Sequence, residues 1–142
     1  MSAFLIVRLA RWRRPLGLAI SPDGVYHWSW FGGKFLHWND LLKVSAITKS
    51  GPSIDLKATS LAHSRRTEES WLCRFGFFRR YMCTIHAGYL AVDPAIAYYG
   101  ILFYLKNPDH RHELATDAGV ERLRRMDFPP SLAEELSDSA KA

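Results

Sequence analysis

Hydrophobic and polar residues alternate over two short segments early in the chain, at residues 16–20 and 25–30. Alternation with a period of two is typical of a strand that buries one face. The two segments flank Ser21-Pro22-Asp23-Gly24, in which proline, aspartate and glycine suit a tight turn. The pattern therefore predicts a β-hairpin, and it places Trp28 on the same face as Trp30.

Further alternating or mainly apolar runs follow, again separated by turn residues. In the run at residues 53–58, Ile54 and Leu56 fall on one face and Asp55 and Lys57 on the other. Together with the hairpin, these runs predict seven short strands. The five additional runs are residues 34–38, 43–49, 53–58, 71–75 and 81–86.

An apolar helix is predicted after the strands. Asp93 can accept hydrogen bonds from free backbone amides, Pro94 suits the first helical position, and Pro108 prevents continuation beyond Lys106-Asn107. Its apolar stretch of about eleven residues spans roughly 16 Å, whereas a bilayer core requires about 30 Å, so it does not predict a membrane span.

Because this helix is apolar on all sides, one barrel mouth cannot cover it, and a later helix or a second subunit is expected to cover the rest. Thr116-Asp117 predicts the start of that later helix, at about residues 118–126. Tyr98, Tyr99 and Tyr104 are the candidate residues for a helix interface with a second copy or a partner.

The chain of 142 residues suits one domain with tails. We predict a basic N-terminal segment at residues 1–13, a single domain at 14–127 and a flexible tail at 128–142. The net charge of +5 is uneven: residues 1–80 hold 13 Lys/Arg against 5 Asp/Glu, and residues 81–142 hold 6 against 9. A basic surface formed by the N-terminal part would favour phosphates or an acidic partner.

The two cysteines are too few for a disulfide framework, and the N-terminus lacks the order of a secretory signal. A cytoplasmic location is therefore expected, with the inner face of the membrane as the peripheral alternative. In a hairpin centred near Phe78, Cys73 and Cys83 would lie opposite each other.

The run RPLGLAISPDGVYHWSWFGGKFLHWNDLLKV resembles bacterial pleckstrin-homology-like (PH-like) proteins, in which a DG turn precedes a tryptophan, an acidic residue and an aliphatic residue, here Trp38, Asp40 and Leu41. The run YLAVDPAIAYYGILFYLKNPDHRHELATDAGVERL resembles uncharacterised actinobacterial proteins. The resemblance covers about residues 14–124. It implies an α+β fold, namely a seven-stranded antiparallel barrel or sandwich capped by a C-terminal helix, with one or two short extra helices.

Such barrels recognise lipids, peptides or proteins, so the resemblance does not fix a ligand. Arginines and aromatics are interleaved most densely in residues 64–82, a pattern that suits a membrane surface or single-stranded nucleic acid. The alternative is a hairpin with one buried aromatic face. The candidate interaction surface consists of Arg65, Arg66, Arg74, Phe77, Phe78, Arg79 and Arg80.

The N-terminal segment is the second candidate surface, because a short helix there would present leucines on one side and arginines on the other. An edge strand or a frayed terminus is the alternative. The candidate membrane-proximal residues are Arg8, Arg11, Trp12, Arg13 and Arg14.

Asp109, His110, His112 and Glu113 are residue types that bind divalent metals, but they form a single short cluster that a solvated turn explains as well. No nucleophile elbow, zinc-protease motif or glycine-rich phosphate loop occurs. We therefore predict a non-enzymatic PH-like interaction module without metal or cofactor. It would dock to a protein partner or form a homodimer; an anionic membrane surface is the alternative, and nucleic acid is the weaker one.

Overall fold

The computed structural model describes residues 17–29, 32–48, 51–59, 82–90, 92–130 and 132. In these residues, six antiparallel strands form two three-stranded sheets, and helices follow them, which confirms the α+β prediction. Sheet A consists of β1 (Gly17–Ile20), β2 (Gly24–Ser29) and β3 (Gly32–His37), in that order. Sheet B consists of β4 (Leu41–Ile47), β5 (Ser53–Ala58) and β6 (Met82–His86), also in chain order.

The predicted first hairpin is confirmed. The Ser21 hydroxyl donates a hydrogen bond of 2.9 Å to the carbonyl of Gly24, which closes the turn between β1 and β2. Gly24 also lies against β3, because a Cβ atom there would be only 2.2 Å from the carbonyl oxygen of Leu36. A glycine is required at this position, since any side chain would clash with the neighbouring backbone.

In sheet B, the predicted two faces of β5 are confirmed. Ile54 and Leu56 point into the core, while Asp55 on the opposite face accepts a hydrogen bond of 2.5 Å from the Thr84 hydroxyl on β6. The turn before β5 contains Gly51, whose φ of +100° is a conformation that glycine adopts readily.

The inward faces of both sheets and the helices contribute to one hydrophobic cluster. Burial of such side chains is the main stabilising term in folding. The largest fully buried side chains are those of Val25, Leu56, Ile85, Ile101, Tyr104 and Leu114.

The predicted apolar helix is α1 (Pro94–Lys106), with 13 residues. Asp93 caps it by accepting a hydrogen bond of 2.9 Å from the amide of Ala95, and the Asn107 side chain donates one of 2.9 Å to the carbonyl of Phe103 at the other end. Within the part of the chain that the structure describes, no helix has the length and apolar content needed to cross a bilayer.

Two segments after α1 differ from the prediction in detail. The expected short turn is an eight-residue 3₁₀ helix, Pro108–Ala115, and α2 (Asp117–Arg125) begins one residue earlier than expected. Met126 adopts a left-handed conformation, with a φ of 52°, and ends α2.

The C-terminal part of the chain covers much of α1, as the sequence led us to expect for the later helix. Gly100 faces α2 so closely that a Cβ atom there would lie 2.5 Å from Leu123 Cδ2. Phe128 stacks on Tyr99 at a ring distance of 6.3 Å, and Leu132 is buried in the core. The packed chain therefore continues past residue 127, where the predicted domain ended and the flexible tail began.

The finer prediction of a seven-stranded barrel is not reproduced in the described residues. The two sheets share no hydrogen-bonded ladder there, so the six strands do not form a closed barrel. The predicted strand at residues 71–75 and the N-terminal segment at residues 1–13 lie outside the described residues.

Candidate functional site on the outer face of sheet A

Four aromatic side chains lie side by side on the face of sheet A that points away from the core. Residues of β2 and β3 alternate between the two faces, so Val25 is buried in the core while its neighbour Tyr26 points outward. We call this group the aromatic strip. Its members are Tyr26, Trp28, Phe35 and His37.

The rings of the aromatic strip contact one another along and across the strands. The ring centroids of Tyr26 and Trp28 are 4.0 Å apart, those of Tyr26 and Phe35 are 6.1 Å apart, and Phe35 meets His37 edge-on at 4.7 Å. The separations of 6.1 and 4.7 Å are typical of favourable aromatic pairs, and that of Tyr26 and Trp28 is shorter. Gly17 on β1 leaves room for the indole of Trp28, whose Cε3 atom would lie 3.4 Å from a Cβ at that position.

All four members are partly buried, and none carries a carboxylate, ammonium or guanidinium group. Aromatic side chains held on strands offer large apolar area with little loss of side-chain entropy, which suits protein contacts. The sequence singled out Trp28 and Trp30, but Trp30 lies outside the described residues. Tyr26, Phe35 and His37 were missed, although their alternation with Val25 and Leu36 was a usable signal.

The two surfaces predicted from charge cannot be compared with the strip. All seven residues of the candidate interaction surface lie outside the described residues, as do all five candidate membrane-proximal residues. They are Arg65, Arg66, Arg74, Phe77, Phe78, Arg79 and Arg80, and Arg8, Arg11, Trp12, Arg13 and Arg14. Both surfaces stay predictions.

The three tyrosines of the predicted helix interface separate into two groups. Tyr98 and Tyr99 are partly buried, and their rings meet at 5.6 Å. Tyr104 is fully buried, and its hydroxyl donates a hydrogen bond of 3.0 Å to Glu113 Oε1. The contacts of Tyr104 are thus made within the chain, and the predicted helix interface stays a prediction.

Glu113 is engaged in an ion pair rather than exposed in a polar turn. Arg122 donates from Nε to Oε1 at 2.6 Å and from Nη2 to Oε2 at 3.2 Å. Burial opposes ionisation of the carboxyl, but the hydrogen bonds from Arg122 and Tyr104 outweigh it and lower the pKa of Glu113. We call Glu113, Arg122 and Tyr104 the Glu113 network.

The other members of the predicted metal cluster have local contacts. His112 Nδ1 lies 2.6 Å from the carbonyl oxygen of Asp109, and His110 Nδ1 is 4.0 Å from Glu113 Oε2. Across the described residues, no group of three or more histidine, cysteine, aspartate or glutamate side chains is arranged to hold a metal ion.

Arg111, in the 3₁₀ helix, contacts both α1 and the corner that follows β3. Its guanidinium lies 5.2 Å from the ring centre of Trp38 and donates hydrogen bonds to the carbonyls of Tyr104 and Leu105, at 2.8 and 3.2 Å. These carbonyls belong to the last turn of α1, which a cation stabilises. Arg111 therefore links the end of α1 to the corner after β3.

A polar contact between Cys83 and His27 joins the two sheets. Cys83 Sγ on β6 lies 3.3 Å from His27 Nδ1 on β2. Burial raises the pKa of the Cys83 thiol to about 11, and burial together with the charge of Lys34 lowers the pKa of His27 to about 4. Both groups are therefore neutral at pH 7. The predicted neighbour Cys73 lies outside the described residues.

The described residues thus contain three distinctive arrangements: the aromatic strip, the Glu113 network and the Cys83–His27 pair. Of these, only the aromatic strip faces away from the core. Models of known protein families, curated proteins and solved structures give no match to this chain.

Proposed function

We propose that this chain is a non-enzymatic, PH-like interaction module of the cytoplasm, which docks to a protein partner or to a second copy through the aromatic strip. The observation that carries the proposal is the continuous contact of four outward-pointing aromatic side chains on β2 and β3. Tryptophan and tyrosine are enriched at the centres of protein interfaces, because they combine large apolar area with a polar atom.

The outer face of sheet B supports this choice by contrast. Its outward residues pair as polar groups: Ser53 Oγ lies 3.0 Å from His86 Nδ1, and Thr84 donates to Asp55. Ser53 and Asp55 are themselves buried on this face, and each is hydrogen-bonded to its partner on β6. The aromatic strip departs from that pattern on the equivalent face of sheet A, where an apolar contact surface has a functional explanation.

The order of elements supports a PH-like module. Six antiparallel strands in two meanders precede α1, whose Gly100 faces Ile20 of sheet A and whose Tyr104 faces Trp38. In the proposed PH-like fold, α1 is the C-terminal helix that packs against the strands.

The neutral state of the Cys83 thiol supports a role without catalysis. A cysteine nucleophile reacts as the thiolate, and a pKa of about 11 leaves very little thiolate at pH 7. His27 beside it is held neutral as well, so the pair lacks the thiolate and imidazolium charges of an activated cysteine.

The site of self-association shifts from α1 to the aromatic strip. The sequence led us to expect that a second subunit would cover part of α1, but Leu123 and Phe128 of the same chain pack against it. A second copy is therefore better accommodated on sheet A, where aromatic rings point outward.

Site-specific photo-crosslinking tests the proposal directly. We expect p-benzoylphenylalanine in place of Phe35 to form a covalent protein adduct in cells that express the chain, because that position lies within the strip. The same residue in place of Lys57, which is exposed on the outer face of sheet B, is the matched control and should give no adduct. Trp28→Ala should lower the yield at position 35.

The mass of the adduct identifies the partner. An adduct of twice the mass of the chain supports self-association, and one of another protein mass supports a separate protein partner. Adducts of equal yield at positions 35 and 57, or no adduct, would contradict docking through the strip. A lipid adduct alone would replace the protein partner with a membrane surface.

A further inference from the structure

Cys83 and His27 bring two metal-binding atoms together from different sheets. β6 places Cys83 on the inner face of sheet B, and β2 places His27 on the inner face of sheet A, with Sγ and Nδ1 3.3 Å apart. Neither atom belongs to the aromatic strip or the Glu113 network. A sulfur and an imidazole nitrogen are the ligands that soft and borderline metal ions prefer.

The surroundings of the pair are mainly apolar. The residue opposite Cys83 on β5 is the fully buried Leu56, and the residue opposite His27 on β1 is the buried Leu18. Lys34, opposite His27 on β3, is a positive charge that acts on both groups, while His86 acts on His27 and Asp55 on Cys83. The pair itself offers sulfur and nitrogen but no carboxylate oxygen.

We propose that Cys83 and His27 bind one soft monovalent metal ion, of the class of Cu(I), between the two sheets. On binding, the Cys83 S–H bond breaks, sulfur forms a bond to the metal, and one proton leaves to solvent. His27 contributes the lone pair of Nδ1 and retains its proton on Nε2. No electron is transferred, so the reaction requires only the Cu(I) ion and a proton acceptor such as buffer.

The charge balance selects a monovalent ion. Replacing the thiol proton by a monovalent ion leaves the total charge of the site unchanged. A divalent ion would add a positive charge in an apolar region close to Lys34, which is costly unless further anionic ligands compensate it. Zinc commonly takes four ligands, and the described residues provide no group of three or more suitable side chains.

The present separation requires a small adjustment for binding. With bonds of about 2.3 Å to sulfur and about 2.0 Å to nitrogen, as for zinc, the two atoms are about 3.5 Å apart in a tetrahedral arrangement and about 4.3 Å apart in a linear one. The pair at 3.3 Å is therefore about 1 Å short of a linear site. Changes of side-chain torsion can supply this movement without shifting a strand.

The test measures competition for Cu(I) in the absence of oxygen. In a Cys73→Ser background, Cys83 is the only thiol, because the chain has two cysteines. This protein is titrated into the coloured complex of Cu(I) with bicinchoninic acid. We expect it to remove one equivalent of Cu(I). Cys83→Ser should abolish the removal, and His27→Gln should weaken the affinity at least tenfold.

His112→Gln is the matched control. His112 is exposed in the 3₁₀ helix and lies beside the carbonyl of Asp109, so its loss should leave the affinity unchanged. The proposal is overturned if the Cys73→Ser protein removes no copper, if Cys83→Ser removes as much, or if His27→Gln binds as tightly as its parent. X-ray absorption at the copper edge tests the parent independently of variant folding: one sulfur and one nitrogen are expected, and a shell of sulfur alone would refute the role of His27.

Discussion

The Glu113 network and the Cys83–His27 pair both place polar side chains in the same hydrophobic core, and they differ in whether those side chains are charged. Glu113 keeps its charge, because Arg122 and Tyr104 together supply three hydrogen bonds to its carboxylate. His27 and Cys83 are uncharged instead, because burial lowers the pKa of the imidazole and raises that of the thiol.

The difference follows from the hydrogen-bond partners that surround each buried polar group. A carboxylate can stay ionised in a poorly solvated site when a guanidinium meets it with two hydrogen bonds. Two groups that can each be neutral satisfy one another with a single hydrogen bond and need no counter-ion. The Glu113 network should therefore be sensitive to loss of a partner, and the Cys83–His27 pair to a change of protonation.

Removal of the arginine from the Glu113 network should have the largest effect. Arg122→Met preserves much of the aliphatic stem that lies against Phe103 but leaves Glu113 without its cation. We expect a loss of about 3 to 4 kcal/mol in the free energy of unfolding, since a partly buried charge is left unpaired. Denaturant unfolding followed by circular dichroism measures this loss.

Arg125→Met is the matched control for that loss. Arg125 also pairs with a glutamate, at 2.6 Å from Glu121 Oε1, but its side chain is 72% exposed, against 23% for Arg122. We expect a change within about 0.5 kcal/mol, as is usual for exposed pairs. Equal effects of the two substitutions would show that burial does not distinguish the two ion pairs.

The two polar sites also show what could be predicted from the sequence. The first hairpin and the start of α1 could be predicted from local signals. Gly24 belongs to the turn that joins β1 to β2, and Asp93-Pro94 starts the helix that directly follows it. The Glu113 network joins positions 104, 113 and 122, and the Cys83–His27 pair joins residues 56 positions apart. Such contacts depend on how the sheets and helices pack, which local patterns do not encode.

Residue type and closeness in sequence were weak guides to the candidate sites. Glu113 was grouped with His110 and His112 because they are close in sequence, yet it is bound by Arg122 from α2. Tyr104 was taken as an interface residue because α1 is apolar all round, although the 3₁₀ helix that follows α1 supplies the acceptor for its hydroxyl. In both cases the decisive partner came from a segment whose position no nearby residue indicates.

Acidification should weaken the Cys83–His27 pair before the Glu113 network. The pKa of His27 falls from 6.5 to about 4 on folding, so the unfolded chain binds more protons between these values. Stability should therefore fall as the pH is lowered from about 6.5 to about 4, by about 3 kcal/mol in total from this residue. Unfolding free energies measured across this range, without added metal, test the expectation.

His27→Gln separates the contributions of the two sites. Glutamine does not titrate, so the variant should lack the loss of stability between pH 6.5 and 4.5. The lowered pKa of Glu113 affects stability at lower pH. The stabilisation that Glu113 contributes is complete above 4.5, the ordinary pKa of its carboxyl, and is lost as the pH falls below that value. The variant should thus keep its acid unfolding below pH 4.5, and an unchanged profile above that pH would refute the assignment to His27.

The smallest effect is expected from the neutral member of the Glu113 network. Tyr104→Phe removes the hydroxyl that donates to Glu113 Oε1 and keeps the buried ring, while Arg122 still binds both carboxylate oxygens. We expect a loss of about 1 to 2 kcal/mol, because one hydrogen bond to a charged group is lost and no charge is left unpaired. Tyr89→Phe, at a position 50% exposed, should change stability by less than about 0.5 kcal/mol. If Tyr104→Phe were as costly as Arg122→Met, Glu113 would depend on the hydroxyl as much as on the guanidinium to stay charged in the core, which would contradict this ranking.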